Sequence, residues 1–220
     1  MISLPAGTFA LVTGASGGIG EAIARGLARR KVPQFLVARS GDRLEALAAE
    51  LRALSGVAVE AIAVDLAADG AAERLVAATE GAGRPVGLLV NNAAFGFYGP
   101  QEEQGLDRAL RMLRLNVASL VELTDRLLGP MRSQGSGFVL NVASPAAFLP
   151  VPYMAVYAAT KAFVLSYSQA LHEELPHQPR ARGAGPRRWP GNSGRSAAHP
   201  AGWPRPGARC RRNGPRRPRG

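Results

Sequence analysis

Tyr157 and Lys161 stand four residues apart in the run Tyr157-Ala158-Ala159-Thr160-Lys161. On a helix, an i, i+4 pair projects from one face. A phenol with its usual pKa of about 10 is a poor acid–base catalyst near neutral pH, whereas an ammonium a few ångströms away favours the phenolate and lowers that pKa. The pair could therefore donate a proton to a reacting oxygen or remove one from it. Ser144, thirteen residues before Tyr157, adds a hydroxyl that can hydrogen-bond a carbonyl. Alone, a Tyr–Lys pair is also what an ordinary solvated helix face carries. Its company decides.

A second constellation lies near the N-terminus, in Thr13-Gly14-Ala15-Ser16-Gly17-Gly18-Ile19-Gly20. An apolar run precedes it and a helical pattern follows. Gly14 permits a tight turn that a side chain would block. Gly18 and Gly20 let the backbone and the helix N-terminus approach a pyrophosphate, which free N–H groups and the helix dipole then hold. A glycine-rich turn by itself could be only a strand-to-helix connection. Placed after the first strand of an alternating series, it points to a dinucleotide site. Lys161 could then hydrogen-bond a nicotinamide ribose as well.

The elements that must position these groups alternate along the chain. Strands are predicted over residues 8–13, 34–38, 57–64, 86–91 and 137–143. Helices are predicted over 17–30, 42–54, 70–80, 103–128 and 156–175, the second with Leu44, Leu47, Leu51 and Leu54 at helical spacing. This alternation implies right-handed βαβ units and a doubly wound, Rossmann-like parallel α/β sheet of order 3-2-1-4-5. Such sheets bind ligands at the carboxyl ends of their strands.

With its Gly-x-x-x-Gly-x-Gly spacing, residues 8–175 resemble the short-chain dehydrogenase/reductase family. The run Asn91-Asn92-Ala93-Ala94 resembles that family's Asn-Asn-Ala-Gly motif, with Ala94 where glycine is usual. Asn116, Ser144 and the Tyr157-x-x-x-Lys161 signature follow in family order. The resemblance implies carbonyl–alcohol interconversion by hydride transfer with NADP(H). Tyr157 would be the general acid/base, Lys161 its tuner, Ser144 the substrate-orienting hydroxyl, and Asn116 the holder of a water linking Lys161 to solvent. Cofactor contacts are implied at Thr13, Gly14, Ser16, Gly18, Ile19, Gly20, Arg39, Asp65, Leu66, Asn92, Ala93, Tyr157 and Lys161. Arg39 stands at the end of the second strand, where an acid would take the ribose 2′-OH of NAD and a base suits the 2′-phosphate of NADP, so NADP(H) is favoured over NAD(H). Arg39 could otherwise be a solvated arginine opening a helix. Asp65 matches a family residue contacting adenine, and equally suits a helix-capping loop acid. Phe95, Phe97, Tyr98, Phe148, Tyr153 and Met154 would suit a small apolar carbonyl or alcohol substrate, or be packing. A homo-oligomer is expected of a chain that continues in the family's frame.

Charge divides the chain. The net formal charge is +11, yet residues 1–175 hold 15 basic and all 16 acidic side chains, and residues 176–220 hold 12 arginines with no lysine and no acid. A uniformly basic nucleic-acid-binding body is excluded. Residues 176–220 have no Val, Ile, Leu, Met, Phe or Tyr, so they cannot supply the sixth and seventh strands, the Pro-Gly motif or the lid that the resemblance implies. Two accounts compete for this Arg/Pro/Gly-rich tail: a disordered basic arm for nucleic acid or anionic lipid, or a G+C-rich gene read out of frame, which the abrupt switch after Leu175 favours. The alternative to an active reductase is an inactive dinucleotide-binding fragment with a basic tail. An apolar fifth strand left at the sheet edge would invite aggregation.

Cys210 is the one cysteine, so neither an intramolecular disulfide nor a Cys-based metal site is expected, and no metal is assigned. The N-terminus lacks a basic n-region. The uncharged stretch 133–160 is interrupted by glycines and prolines and holds no apolar run of ~20 residues. A cytoplasmic protein without a membrane span is the expectation.

Overall fold

The computed structural model describes residues 4–175, so the Arg/Pro/Gly-rich segment 176–220 lies outside the described residues. Five parallel strands form one sheet of order β3-β2-β1-β4-β5: β1 (Phe9–Thr13), β2 (Gln34–Ala38), β3 (Val59–Ala63), β4 (Val86–Asn91) and β5 (Phe138–Asn141). The helices are α1 (Gly18–Arg29), α2 (Gly41–Ser55), α3 (Ala71–Ala78), α4 (Gln101–Gln104), α5 (Leu106–Leu113), α6 (Ser119–Ser133) and α7 (Ala155–Glu174). The doubly wound Rossmann-like architecture is as the alternating pattern implies. Among the described residues the sheet ends at β5.

Each central strand sends alternate side chains to opposite faces, as a two-residue repeat requires. Ala10 and Val12 of β1 join Leu36, Leu44 and Leu51 under α1 and α2. Leu11 joins Phe35, Val37, Leu89, Leu123 and Leu127 under α3 and α6. β4 is buried along its whole length, whereas β5 is only half-buried, with Leu140 exposed.

The predicted single helix over 103–128 differs most from the observed structure. Gly105, at φ 75 and ψ 145, breaks it into α4 and α5. A turn of π-helix, Arg114–Ala118, then carries Asn116, and α6 runs on to Ser133. The 3.6-residue apolar repeat starts at Leu106 and passes through the π-turn, so periodicity alone could not register that interruption, whereas residues 101–105 carry no apolar residue and only Gly105 itself marks the first break. β5 is shorter than expected because it pairs only with Leu88–Asn91 of β4. The predicted helix 70–80 ends at Ala78 and is followed by a 3₁₀ turn, Glu80–Ala82.

Candidate active site

The first turn is built by mutual contact between β1 and β4. The Thr13 hydroxyl donates to the Val90 carbonyl at 3.0 Å and accepts from the backbone N–H groups of Asn92 and Ala93 at 2.9 and 3.0 Å. The Asn92 amide donates back to the carbonyls of Thr13 and Gly14. Thr13 and Asn92 therefore join the two central strand ends, a structural task beside any contact with cofactor.

Two glycines are demanded by this packing. A Cβ on Gly14, which has φ 67, would stand 2.7 Å from Asn92 Nδ2, and one on Gly20 would stand 2.3 Å from the Gly14 carbonyl oxygen. The sequence reading gave Gly20 to pyrophosphate approach. The structure instead assigns it to close packing of α1 on the turn, because the crowding atoms are protein backbone. Gly17 and Gly18 face open space, with no protein atom within 4 Å of an added Cβ, and Gly18 has φ 57. Together with the unpaired N–H groups opening α1, this bare backbone fits a pyrophosphate.

From that turn a cleft of about 290 Å³ runs past Ser16, Arg39, Arg43, Asp65 and Leu66 to Phe95. Arg39 and Arg43 are exposed, and neither forms an ion pair among the described residues. Leu66 is buried, whereas Ile19 is exposed at the start of α1. Asp65 accepts from the Ala67 N–H at 3.1 Å and pairs with Arg111 on α5. Asp65 therefore closes a local turn and lines the cleft, but caps no helix, since α3 begins at Ala71 with Gly70 at its N-cap. Arg43 and Arg111 were missed by sequence reasoning: Arg111 is 46 residues from its partner, and no local spacing links the two. A separate hollow of about 420 Å³, lined in part by Asp65, Asp107, Arg111 and Arg114, lies on the α5 side of Asp65 and includes none of Ser144, Tyr157 and Lys161.

At the other end, α7 presents Tyr157 and Lys161 together, with the Lys161 ammonium 5.9 Å from the Tyr157 ring centroid. Lys161 is 5% exposed and donates to the Val142 carbonyl at 2.8 Å. Burial lowers its pKa, and no carboxylate among the described residues pairs with it. Ser144 begins the segment after β5, where its oxygen accepts the Ala146 N–H at 3.2 Å. That bond uses a lone pair and leaves the hydroxyl hydrogen for another acceptor.

Asn116 is buried and committed. Its Nδ2 donates to the Phe95 carbonyl at 2.9 Å and to the Thr160 hydroxyl at 3.1 Å, while its Oδ1 accepts the Phe95 N–H at 3.1 Å. Thr160 in turn donates to the Tyr157 carbonyl at 2.7 Å. Both amide hydrogens are taken, so any water at Asn116 must use its remaining lone pair or its backbone carbonyl. Thr160, unremarked in the sequence reading, ties the π-turn to α7. Its place inside the Tyr-x-x-x-Lys run was the available signal.

The aromatic residues left open by the sequence now separate. Phe97 is packing: the Arg108 guanidinium lies 5.0 Å from its ring centroid, and its ring closes on Gly99. Phe95 holds Asn116 through its backbone. Tyr98, Phe148 and Tyr153 are exposed, at 73%, 74% and 55%. No helix among the described residues is long and apolar enough to cross a membrane.

Comparison with known proteins places this geometry. The short chain dehydrogenase family model matches residues 8–179. The chain is 35% identical over 172 residues to the human very-long-chain 3-oxoacyl-CoA reductase, covering 76% of this chain and 54% of that one. It thus spans about half the length of the curated relatives it matches. Among solved structures, a short-chain dehydrogenase from Sphingobium yanoikuyae in complex with NADPH superposes with a TM-score of 0.73 at 39% identity, over 76% of this chain and 65% of that one. The bulky-bulky ketone specific alcohol dehydrogenase from Comamonas testosteroni gives 0.72 at 34% identity, over 76% and 67%.

Proposed function

Because the chain belongs to the short-chain dehydrogenase/reductase family, a family of oxidoreductases, we propose that its site interconverts a carbonyl and an alcohol on an apolar substrate with NADP(H). One observation carries this reading above the rest: a buried lysine with no acidic partner among the described residues, beside a tyrosine at a sheet's carboxyl edge. A buried ammonium is costly unless something requires it there. Tyr157 donates its phenolic proton to the carbonyl oxygen as the carbon is reduced, and in reverse the phenolate accepts it. Lys161 favours that phenolate electrostatically and has ammonium hydrogens beyond the one given to Val142 for a ribose hydroxyl. Ser144 directs its free hydroxyl hydrogen to the same carbonyl oxygen. Asn116 holds the Phe95 backbone and Thr160, and so fixes the catalytic turn.

NADP(H), when bound, supplies the hydride. Gly17, Gly18 and Ser16 would take the pyrophosphate, Asp65 and Leu66 the adenine side, and Arg39 the 2′-phosphate, with Arg43 within the same cleft. The named relatives include a very-long-chain 3-oxoacyl-CoA reductase and a bulky-bulky ketone specific alcohol dehydrogenase, and what the two names share is a ketone carbonyl with large substituents. The substrate proposed for this chain is a ketone of that kind. Fluorescence titration with NADPH and NADH, followed by product analysis with a panel of ketones, tests the reading. Preferred NADPH binding and alcohol formation support it; failure to bind either nucleotide overturns it.

A further inference from the structure

Tyr153 has φ 66, in the left-handed region that is strained for a bulky residue. Lys31, the other non-glycine with positive φ among the described residues, follows the end of α1, where that conformation closes helices routinely. Tyr153 instead stands third in the turn 151–154, which the Met154 N–H closes on the Val151 carbonyl at 3.1 Å, after Pro152; such turns take positive φ at that place and usually put glycine there. Its carbonyl accepts the Gly99 N–H at 2.9 Å, and its ring lies 5.8 Å from that of Tyr98, tilted by 45°. This strap joins the segment after β4 to the segment after β5.

The strap is also fixed to the catalytic tyrosine. A Cβ on Gly96 would stand 3.0 Å from Tyr157 Cδ2, so the 96–99 segment lies directly on the Tyr157 ring. Gly99, at φ 155, could not carry a side chain either, because a Cβ would meet the Phe97 ring at 2.8 Å. The backbone is therefore held at three points, at Tyr157, Phe97 and Tyr153, while the rings of Tyr98 and Tyr153 remain largely exposed. Rigid, exposed aromatic rings recognise ligands at low ordering cost, and apolar or aromatic surface is what covers them favourably.

We propose that Tyr98 and Tyr153 form an aromatic clamp at the mouth of the Tyr157 site, selecting ketones that carry a ring system beside the carbonyl. The inference rests on the reductase reading and refines it to a substrate class. The same turn residue supplies both contacts, its carbonyl bonded to Gly99 and its ring set against Tyr98.

The test uses 2-acetylnaphthalene, whose own fluorescence reports binding, titrated into the full chain saturated with NADP+ and again without nucleotide. Tyr98→Ala and Tyr153→Gly are each expected to weaken ketone binding by about fivefold or more, with NADP+ affinity changed by less than about twofold. Tyr153→Gly is expected to melt at or above the parent temperature, because glycine adopts this φ without strain. Ketone affinity within about twofold of the parent in both variants, or a parent that binds NADP+ but not the naphthyl ketone, overturns the clamp and leaves the reductase reading standing. A parent that fails to bind NADP+ counts against the reductase reading itself.

Discussion

The nucleotide end and the chemical end of this site are built in opposite ways. At the nucleotide end, β1, β2 and β4 are almost wholly buried, and the glycine turn is locked by Thr13 and Asn92 in five hydrogen bonds. Its functional feature is bare backbone at Gly17 and Gly18. At the proposed chemical end, β5 is half-exposed and the proposed function resides in side chains: a partly buried tyrosine, a buried lysine and a serine that caps the turn after it. Backbone recognition requires exact strand packing behind it, whereas side-chain chemistry requires a few tethers such as Val142 to Lys161 and Asn116 to Thr160. Substitutions at the two ends should therefore fail differently.

The largest separation is expected from Tyr157→Phe. Loss of a general acid/base costs about 10²- to 10⁴-fold in turnover, while NADPH affinity should stay within about threefold, since only one hydroxyl is removed. Steady-state ketone reduction beside a nucleotide titration checks both; retained turnover would dissolve the distinction between the two ends. Gly20→Ala should do the reverse. A methyl 2.3 Å from the Gly14 carbonyl oxygen forces α1 off the turn, with a stability loss of about 1–3 kcal/mol and weakened NADPH binding. Thermal melting and the same titration measure it, and a neutral outcome would show that the turn tolerates displacement.

Arg39→Asp sharpens the comparison within the nucleotide end. Removing a charge-assisted contact to phosphate and adding repulsion should weaken NADPH binding by about ten- to a hundredfold, with NADH binding unchanged or improved. Unchanged affinity for both would return Arg39 to the role of a solvated helix-opening residue.

The smallest expected change is in stability, at Lys161, and it accompanies that residue's loss of chemistry. Burial lowers its pKa below the unfolded value, so the charged amine is a destabilising burden at every pH below the folded pKa. That burden is relieved as pH rises from the folded towards the unfolded value. Lys161→Met removes the charge and this alkaline rise in stability, and leaves the Val142 carbonyl without its donor. The net change in Tm is expected between zero and about +4 °C, alongside lost turnover. A Tm lowered by more than about 5 °C would mean that Lys161 is held for the fold.

The parallel sheet, its strand order and most element positions were legible in the sequence because alternating apolar runs and helical repeats encode them directly. The residues of the chemical end were legible too, since Tyr157 and Lys161 share one helix. What escaped was contact between distant segments. Gly20 reads as a phosphate glycine until Gly14 and Asn92 are seen beside it. Asn116 reads as part of one long helix because the π-turn leaves the apolar period from Leu106 onward unbroken. Thr160, Arg43, Arg111 and the Tyr98–Tyr153 strap depend on partners 44 or more residues away or on a shared cleft. Tyr153's positive φ belongs to the 151–154 turn, for which Pro152 was the available signal.

Deuteride transfer tests the central claim most directly. The protein is incubated with NADPH deuterated at the transferable C4 position and a ketone bearing bulky apolar groups, and the product alcohol is examined by mass spectrometry. The account predicts one deuterium on the carbinol carbon, formed by the parent chain and lost in Tyr157→Phe. Unlabelled or absent alcohol from a parent chain that demonstrably binds NADPH, or equal labelling by Tyr157→Phe, would contradict it.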